Sequence, residues 1–287
     1  MLDTAVWRVK GHAIPLANPV IMGILNVTPD SFSDGGAYKT VDSAIEAGLK
    51  MVDEGAHVID VGGESTRPSA DPVSIDDELD RTIAVVSGLV AEGAVVSIDT
   101  RKPEVARAAT GAGAAIINDV GGMRDADMRA IAAEVGAGVV IMHMQGEPGT
   151  MQENPAYGDV VTEVRSFLAA QSLAVIEAGV PVEAIAIDPG IGFGKTLDHN
   201  LELLADLEAL TGLGYPVLIG TSRKRFLGAI LEPIRGHSEP SERDIATAAT
   251  TAAAVLSGAR IIRVHNVPYG VDVAATAMAM VSKRSHE

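Results

Sequence analysis

Eight short apolar runs recur along the chain, and each leads into a polar or charged side chain. Val20–Leu25 ends at Asn26, Val58–Ile59 at Asp60, Val95–Ile98 at Asp99 and Ala115–Ile117 at Asn118. Val139–Met142 ends at His143 and Ala184–Ile187 at Asp188. Val217–Ile219 leads to Ser222–Arg225, and Ile261–Ile262 to Arg263 and His265. Packing alone gives a core strand no reason to end this way every time. A parallel barrel that keeps its chemistry at the C-terminal ends of its strands does.

Helix-like stretches separate the runs. Val41–Glu54 carries an Ile45/Leu49/Val52 stripe behind Thr40 or Asp42 as a cap. Asp76–Val90 has an acidic first turn, which suits the helix dipole. Pro103 opens Glu104–Thr110. Asp125–Val135, Asp159–Ala178, Asp198–Leu210, Lys224–Leu231, Asp244–Leu256 and Val271–Val281 follow. Strand–helix alternation repeated eight times predicts an α/β fold, a (β/α)8 TIM barrel. An open doubly wound sheet would place a Gly-rich nucleotide fingerprint after the first strand. Here that position reads Asn26-Val27-Thr28-Pro29-Asp30. Val6–Val9, Lys10-Gly11 and His12–Ile14 predict an N-terminal β-hairpin plugging the bottom of the barrel. No linker or low-complexity tract divides the chain, so one domain is expected over 1–287, with 1–18 as the hairpin extension.

Composition narrows the partners. The 287 residues carry a net charge of −16, which argues against general nucleic-acid binding. A few local cations can still bind a small anion. Cysteine is absent, so disulfides, thiol catalysis and thiolate metal sites are excluded. Neither a signal pattern nor a membrane-spanning apolar run is evident, and a cytoplasmic protein is expected.

The polar segments hold the chemistry. Asp99, Asn118 and Asp188 end three runs on the predicted upper face. Two carboxylates and an amide can pair with ring N–H groups, an amine and a carbonyl on a heterocycle edge. Ser222-Arg223-Lys224-Arg225 follows the seventh run, with Arg263 and His265 after the eighth. Barrels often bind phosphate there, and three cations at a helix N-terminus suit a diphosphate. Arg263 and His265 are two apart, so they point to one side of their strand, the interior.

The motifs that carry these residues are "IMGILNVTPDSFSDGG", "GAHVIDVGGESTRP", "SIDTRKPEVARAA", "IINDVGG", "IDPGIGFGKT", "GTSRKRFLG" and "RVHNV". They resemble, in order over about residues 20 to 275, the signature segments of the dihydropteroate synthase family. The resemblance implies a pterin-binding (β/α)8 barrel. Such enzymes condense 6-hydroxymethyl-7,8-dihydropterin diphosphate with p-aminobenzoate, giving 7,8-dihydropteroate and pyrophosphate in folate biosynthesis. Asp99, Asn118, Asp188, Lys224 and Met142 are implied to bind the pterin. Asn26, Thr66, Arg263 and His265 are implied to bind the diphosphate, with Mg²⁺ contacting Asn26. Thr66, Arg67, Pro68, Phe193, Lys224 and Arg225 are implied to line the p-aminobenzoate site. Phe32, Asp34 and Arg67 are implied to sit in two loops that close over it.

Asp99, Lys224, Arg263 and His265 are the candidate catalytic residues of an SN1-like displacement that needs no general base. His143 is read as a structural or pterin-pocket residue. The family also implies a homodimer through the later helices and inhibition by sulfonamides, which mimic p-aminobenzoate. No residue is inserted beside Phe193, which favours drug sensitivity. Arg225 stands where many relatives carry Ser and leaves resistance open. Two other functions compete. One is a corrinoid-linked methyltetrahydrofolate methyltransferase; such an enzyme releases no diphosphate and does not need the Thr66-Arg67-Pro68 loop, Lys224 or the Arg263/His265 anion site. The other is a non-catalytic pterin-binding paralogue, which should show losses in these motifs.

Overall fold

The computed structural model describes residues 5–27, 40–65 and 72–284. Eight parallel strands form one sheet: β3 (Val20–Asn26), β4 (Val58–Gly62), β5 (Val96–Asp99), β6 (Ile116–Asp119), β7 (Gly138–Met142), β8 (Ile185–Asp188), β9 (Leu218–Ile219) and β10 (Ile261–Val264). Their order is β8-β7-β6-β5-β4-β3-β10-β9, and a parallel bridge between Ile187 and Val217 joins the two ends. The sheet is therefore a closed barrel.

Helices cover its outer surface: α1 (Val41–Asp53), α2 (Ile75–Ala91), α3 (Pro103–Gly111), α4 (Ala126–Val135), α5 (Val160–Glu177), α6 (Leu197–Ala205), α7 (Glu208–Thr211), α8 (Arg225–Arg235), α9 (Asp244–Leu256) and α10 (Val267–Arg284). Local chemistry sets their starts. Thr40 caps α1 in a box with Ser43, Asp125 caps α4, and Asp159 accepts from the Thr162 N–H at the start of α5. The stretch expected as one helix over Asp198–Leu210 is two, broken at Asp206 after α6. The last helix begins at Val267, ahead of the expected Val271, because Pro268 fits a first turn.

Strand alternation divides the apolar side chains between two cores. Ile21, Leu25, Ile59, Ile98, Ile117, Val139, Ile187 and Ile262 point outward into the layer beneath the helices. Val20, Met22, Val58, Ile116, Val140, Ala186, Leu218 and Ile261 point into the barrel. The hairpin of β1 (Val6–Val9) and β2 (His12–Pro15) seals the interior from below with Trp7, Val9, Ile14 and Leu16. Trp7 has no exposed surface, and its indole N–H donates to the Ala184 carbonyl at 2.9 Å. Gly138 lets the hairpin approach, since a Cβ there would lie 2.3 Å from Val9 Cγ1. The expected plug is thus present.

Candidate active site

Above the sealed layer most inward positions become polar, two residues up on β4 and β6 and four residues above Met22 on β3. Asn26, Gly62, Asp99 and Asn118 stand in one register across β3 to β6. Asn26 Oδ1 and Asp99 Cβ lie 3.6 and 3.5 Å from where a Cβ on Gly62 would stand, so they flank its bare backbone. Met142 and Asp188 share a register across β7 and β8. Arg263 points inward from β10.

Asp60 lies one inward position below Gly62 on β4, level with Ile24 and Ser97, and bonds up into this tier. It is wholly buried, and its Oδ2 accepts from Arg263 Nε at 2.6 Å and from Asn118 Nδ2 at 3.0 Å. Arg263 Nη2 donates to Asp99 Oδ2 at 2.7 Å. One planar guanidinium thus clamps carboxylates from two neighbouring strands, a geometry that Lys cannot reproduce. Burial opposes the charge on Arg263, but Asp60 and Asp99 outweigh it and raise its pKa. Burial pushes the Asp99 carboxyl up to about 7, against the pull of Arg263 and with the repulsion of Asp60. Asp188 is raised by burial too, while Lys224 and the Gly190 N–H act to lower it.

Lys224 enters from the loop before α8. Its ammonium donates to the Ile191 carbonyl and lies 4.5 Å from the centroid of the Phe193 ring. Burial draws its pKa down to about 8, although Asp188 opposes the shift. Ser222 fixes His265 beside Arg263: its Oγ accepts from the His265 backbone N–H at 3.1 Å and lies 2.9 Å from Nδ1. Met142 forms an apolar wall with Val120, Met144 and Met151, and Phe193 packs against it. A cationic corner, an acidic and amide corner and an apolar wall therefore share one mouth. This arrangement can hold a flat polar heterocycle, an anion and an aromatic ring together.

Comparison with known proteins agrees with that geometry. The sequence pattern of the pterin binding enzyme family matches residues 22–265. Dihydropteroate synthase of Escherichia coli strain K12 is 43% identical over 279 residues, covering 97% of each chain. A crystal structure of Yersinia pestis dihydropteroate synthase with a sulfonamide drug complex superposes with a TM-score of 0.90 at 40% identity, covering 96% of this chain and 99% of that one. The Burkholderia cenocepacia enzyme complexed with 7,8-dihydropteroate gives 0.87 at 42% identity, covering 99% of both. The chain belongs to the dihydropteroate synthase family of pterin binding enzymes.

The dihydropteroate synthase motifs do not all converge as sequence reading expects. Arg223 and Lys224 are adjacent but part company. Arg223 has φ 60 and turns outward, where Nε and Nη2 donate to Asp244 at 2.7 and 2.9 Å on α9. The expected set of three cations is therefore reduced: Lys224 faces the site, Arg223 braces α8 against α9, and Arg225 is exposed on the first turn of α8. Asn26, Asp99, Asn118, Met142, Asp188, Phe193, Lys224, Arg263 and His265 all line the upper mouth or its wall. Phe32, Asp34, Thr66, Arg67 and Pro68 lie outside the described residues.

Three residues in this dihydropteroate synthase family member escape sequence reading as site components. Asp60 is one; its strand continues to Gly62, so the charge is interior to the strand and must be paired. Glu64 is another. Its carboxylate accepts from Lys102 Nζ at 3.0 Å and from the Val73 N–H at 3.1 Å, tying residue 64 to residue 73. Lys195 is the third. It lies 3.0 Å from His143 Nδ1, and burial, with Lys195 beside it, pushes His143 down to about 3. The His143 ring packs edge-on to Phe167, with centroids 5.0 Å apart. His57 is structural, its Nδ1 accepting from the Ile21 N–H at 3.0 Å.

Proposed function

We propose that the chain condenses 6-hydroxymethyl-7,8-dihydropterin diphosphate with p-aminobenzoate, giving 7,8-dihydropteroate and pyrophosphate. The observation that carries this reading is that Asp99 and Asn118 stand on adjacent strand ends, with Arg263 bonded to Asp99 across the mouth. The dihydropteroate found in the Burkholderia relative supports it, since that product joins both halves.

Asp99, Asn118 and Asp188 hold the pterin edge. Arg263, His265 and Asn26 receive the diphosphate, with Thr66 from the loop after β4. The bond between the pterin CH₂ carbon and the diphosphate oxygen breaks first, and its electron pair leaves with the oxygen. Asp99 stabilises the cation left on the pterin, while Arg263 and Lys224 offset the departing charge. The aniline nitrogen then forms the new C–N bond and releases a proton to solvent. No general base is needed, and burial beside Lys195, which pushes His143 down to about 3, makes its ring a weak one. Phe193 and Lys224 form the described part of the benzoate site, with Arg225 exposed beyond it; Phe32, Asp34, Arg67 and Pro68, which the family resemblance adds, lie outside the described residues.

Mg²⁺ fits the donors at this mouth. Asn26 offers one hard oxygen, and among the described residues no group of three or more His, Cys, Asp or Glu is placed to hold a metal. Mg²⁺ is readily held in this way, by substrate phosphates, waters and few protein atoms. Bound there, it would neutralise charge on the diphosphate. Sulfonamides would compete for the benzoate slot, as the drug complex of the Yersinia relative suggests. A homodimer through α9 and α10 is supported by their exposed Ile245, Tyr269 and Met280, and light scattering would test it. Among the described residues no helix is long and apolar enough to cross a membrane, and we place the enzyme in the cytoplasm.

Mass spectrometry of the reaction tests the function. Dihydropteroate and pyrophosphate should appear in equal amounts when both substrates and Mg²⁺ are supplied. Methyl transfer from a folate to a corrinoid protein, with no dihydropteroate, would overturn the reading.

A further inference from the structure

The loop between β8 and α6 is held carbonyl by carbonyl. The Gly190 carbonyl accepts from the Phe193 N–H at 3.0 Å, and Ile191 accepts from Lys224 Nζ. Gly192 accepts from Gln152 Nε2 at 2.5 Å, Phe193 from Lys195 Nζ at 3.0 Å and Gly194 from the Tyr157 hydroxyl at 2.8 Å. The loop also lies directly on the backbone after β7. A Cβ at Gly190 would stand 1.9 Å from the His143 carbonyl oxygen, and one at Gly194 would stand 2.3 Å from that of Gln145. Both glycines have positive φ, 65 and 60, so no other residue fits there without strain.

Lys195 is the long-range tie in this arrangement. Its side chain is buried, which pushes its pKa well below the usual lysine value, and its Nζ lies beside three polar atoms: His143 Nδ1 at 3.0 Å, the His143 carbonyl at 3.3 Å and the Phe193 carbonyl at 3.0 Å. None of the three is a carboxylate. A methionine would fill the same space without burying a polar amine, so packing alone does not account for a lysine. The donor geometry does account for it. The Nζ of Lys195 joins the end of β7 to the residue whose ring meets Lys224. Behind Lys195, Thr196 caps α6 and fixes the chain.

We propose that Lys195 is a positioning residue for p-aminobenzoate: it anchors the Phe193 carbonyl to His143 and so sets the Phe193 ring against Lys224. The proposal rests on the function given above, and it deepens that reading by separating the supports of the two substrates. Asp99 and Asn118 stand on β5 and β6, which Lys195 does not bond, and Asp188 on β8 shares no hydrogen bond with Lys195 and feels only its charge, less than it feels Lys224 and the Gly190 N–H. Lys195 therefore governs the benzoate side of the mouth and leaves the pterin side in place.

The test is steady-state kinetics on Lys195→Met and on the milder His143→Leu, which removes one acceptor and leaves both carbonyls. Lys195→Met should raise KM for p-aminobenzoate about tenfold, with KM for the pterin diphosphate changed less than about threefold. The inhibition constant of a sulfonamide should rise by the same factor as KM for p-aminobenzoate. His143→Leu should move the same constants in the same direction by less. Equal shifts in both KM values, or a fall in kcat alone, would overturn the proposal. A wild-type enzyme that makes no dihydropteroate would sink the function itself, and a second readout is independent of turnover. With four phenylalanines, 4-fluorophenylalanine labelling gives a simple ¹⁹F spectrum. The Phe193 signal, assigned by its loss in Phe193→Leu, should shift or broaden in both variants. An unchanged Phe193 signal in the variants would contradict the proposal.

Discussion

The lower and upper halves of the barrel are built on the same alternation and carry opposite kinds of side chain. Below, Val20, Met22, Val58, Ile116 and Val140 meet Trp7 and Leu16 of the hairpin, with no charge among them. Above, the next inward positions on β4, β6 and β7 are Asp60, Asn118 and Met142, joined by Asp99, Asp188 and Arg263. Two residues of strand separate a tier that stabilises the fold from a tier that binds. Buried ion pairs give little net stability, because desolvation offsets their attraction. The lower tier and the outer layer of apolar side chains must therefore hold the barrel while the upper tier keeps charges poised.

The largest effect that would sharpen this contrast belongs to the plug. Trp7→Ala should lower unfolding free energy by about 3–5 kcal/mol, the usual range for a buried Trp. Its folded fraction should keep kcat/KM within about twofold. Denaturant titration beside initial rates reads both, and a large loss of kcat/KM in the folded fraction would break the separation.

Asp99→Asn should act in the opposite sense. Its kcat/KM should fall by about 10²–10³, equivalent to roughly 2.7–4 kcal/mol of lost transition-state stabilisation. Its melting temperature should move little, because Asp60 still pairs Arg263. A Tm drop matching that of Trp7→Ala would mean that the upper tier also carries the fold.

The upper tier should also titrate. Asp99 is pushed up to about 7, so below that pH it takes a proton and stops accepting from ring N–H groups. Lys224 is drawn down to about 8, so above that pH it loses the charge that faces the leaving group. A plot of kcat/KM against pH should be bell-shaped, with limbs near these two values and slopes of about tenfold per pH unit. Lys224→Arg should remove the alkaline limb, since a guanidinium stays charged there. An alkaline limb that persists in Lys224→Arg belongs to another group.

The smallest effect is expected at Arg225. It is exposed on the first turn of α8. Arg225→Ser should change KM for p-aminobenzoate and sulfonamide inhibition by less than about threefold. A tenfold change would extend the site further outward than the described residues place it.

How far the sequence discloses this contrast depends on the range of each interaction. Charges at the ends of apolar runs break the local pattern, so Asp99, Asn118, Asp188 and Arg263 stand out along the chain itself. The plug is legible as well, because a hairpin and its turn are local. Asp60 is named as a run's end, but its role as the partner of Arg263 spans 203 residues and leaves no local trace. Arg223 and Lys224 look equivalent in sequence. Only the positive φ at Arg223 and the presence of Asp244 on α9 separate them. Lys195, in the segment IDPGIGFGKT, and His143, at the end of the fifth run, lie 52 residues apart, and the pairing of β7 with β8 brings their loops together. The break at Asp206 reflects tertiary packing that helix periodicity does not encode.

Pyrophosphate release by the wild-type enzyme, with the pterin diphosphate present and p-aminobenzoate added or withheld, tests the upper tier as a condensing site most directly. Release should depend on p-aminobenzoate and match dihydropteroate one for one. Release at the same rate without p-aminobenzoate, or no release with both substrates and Mg²⁺, would contradict the account.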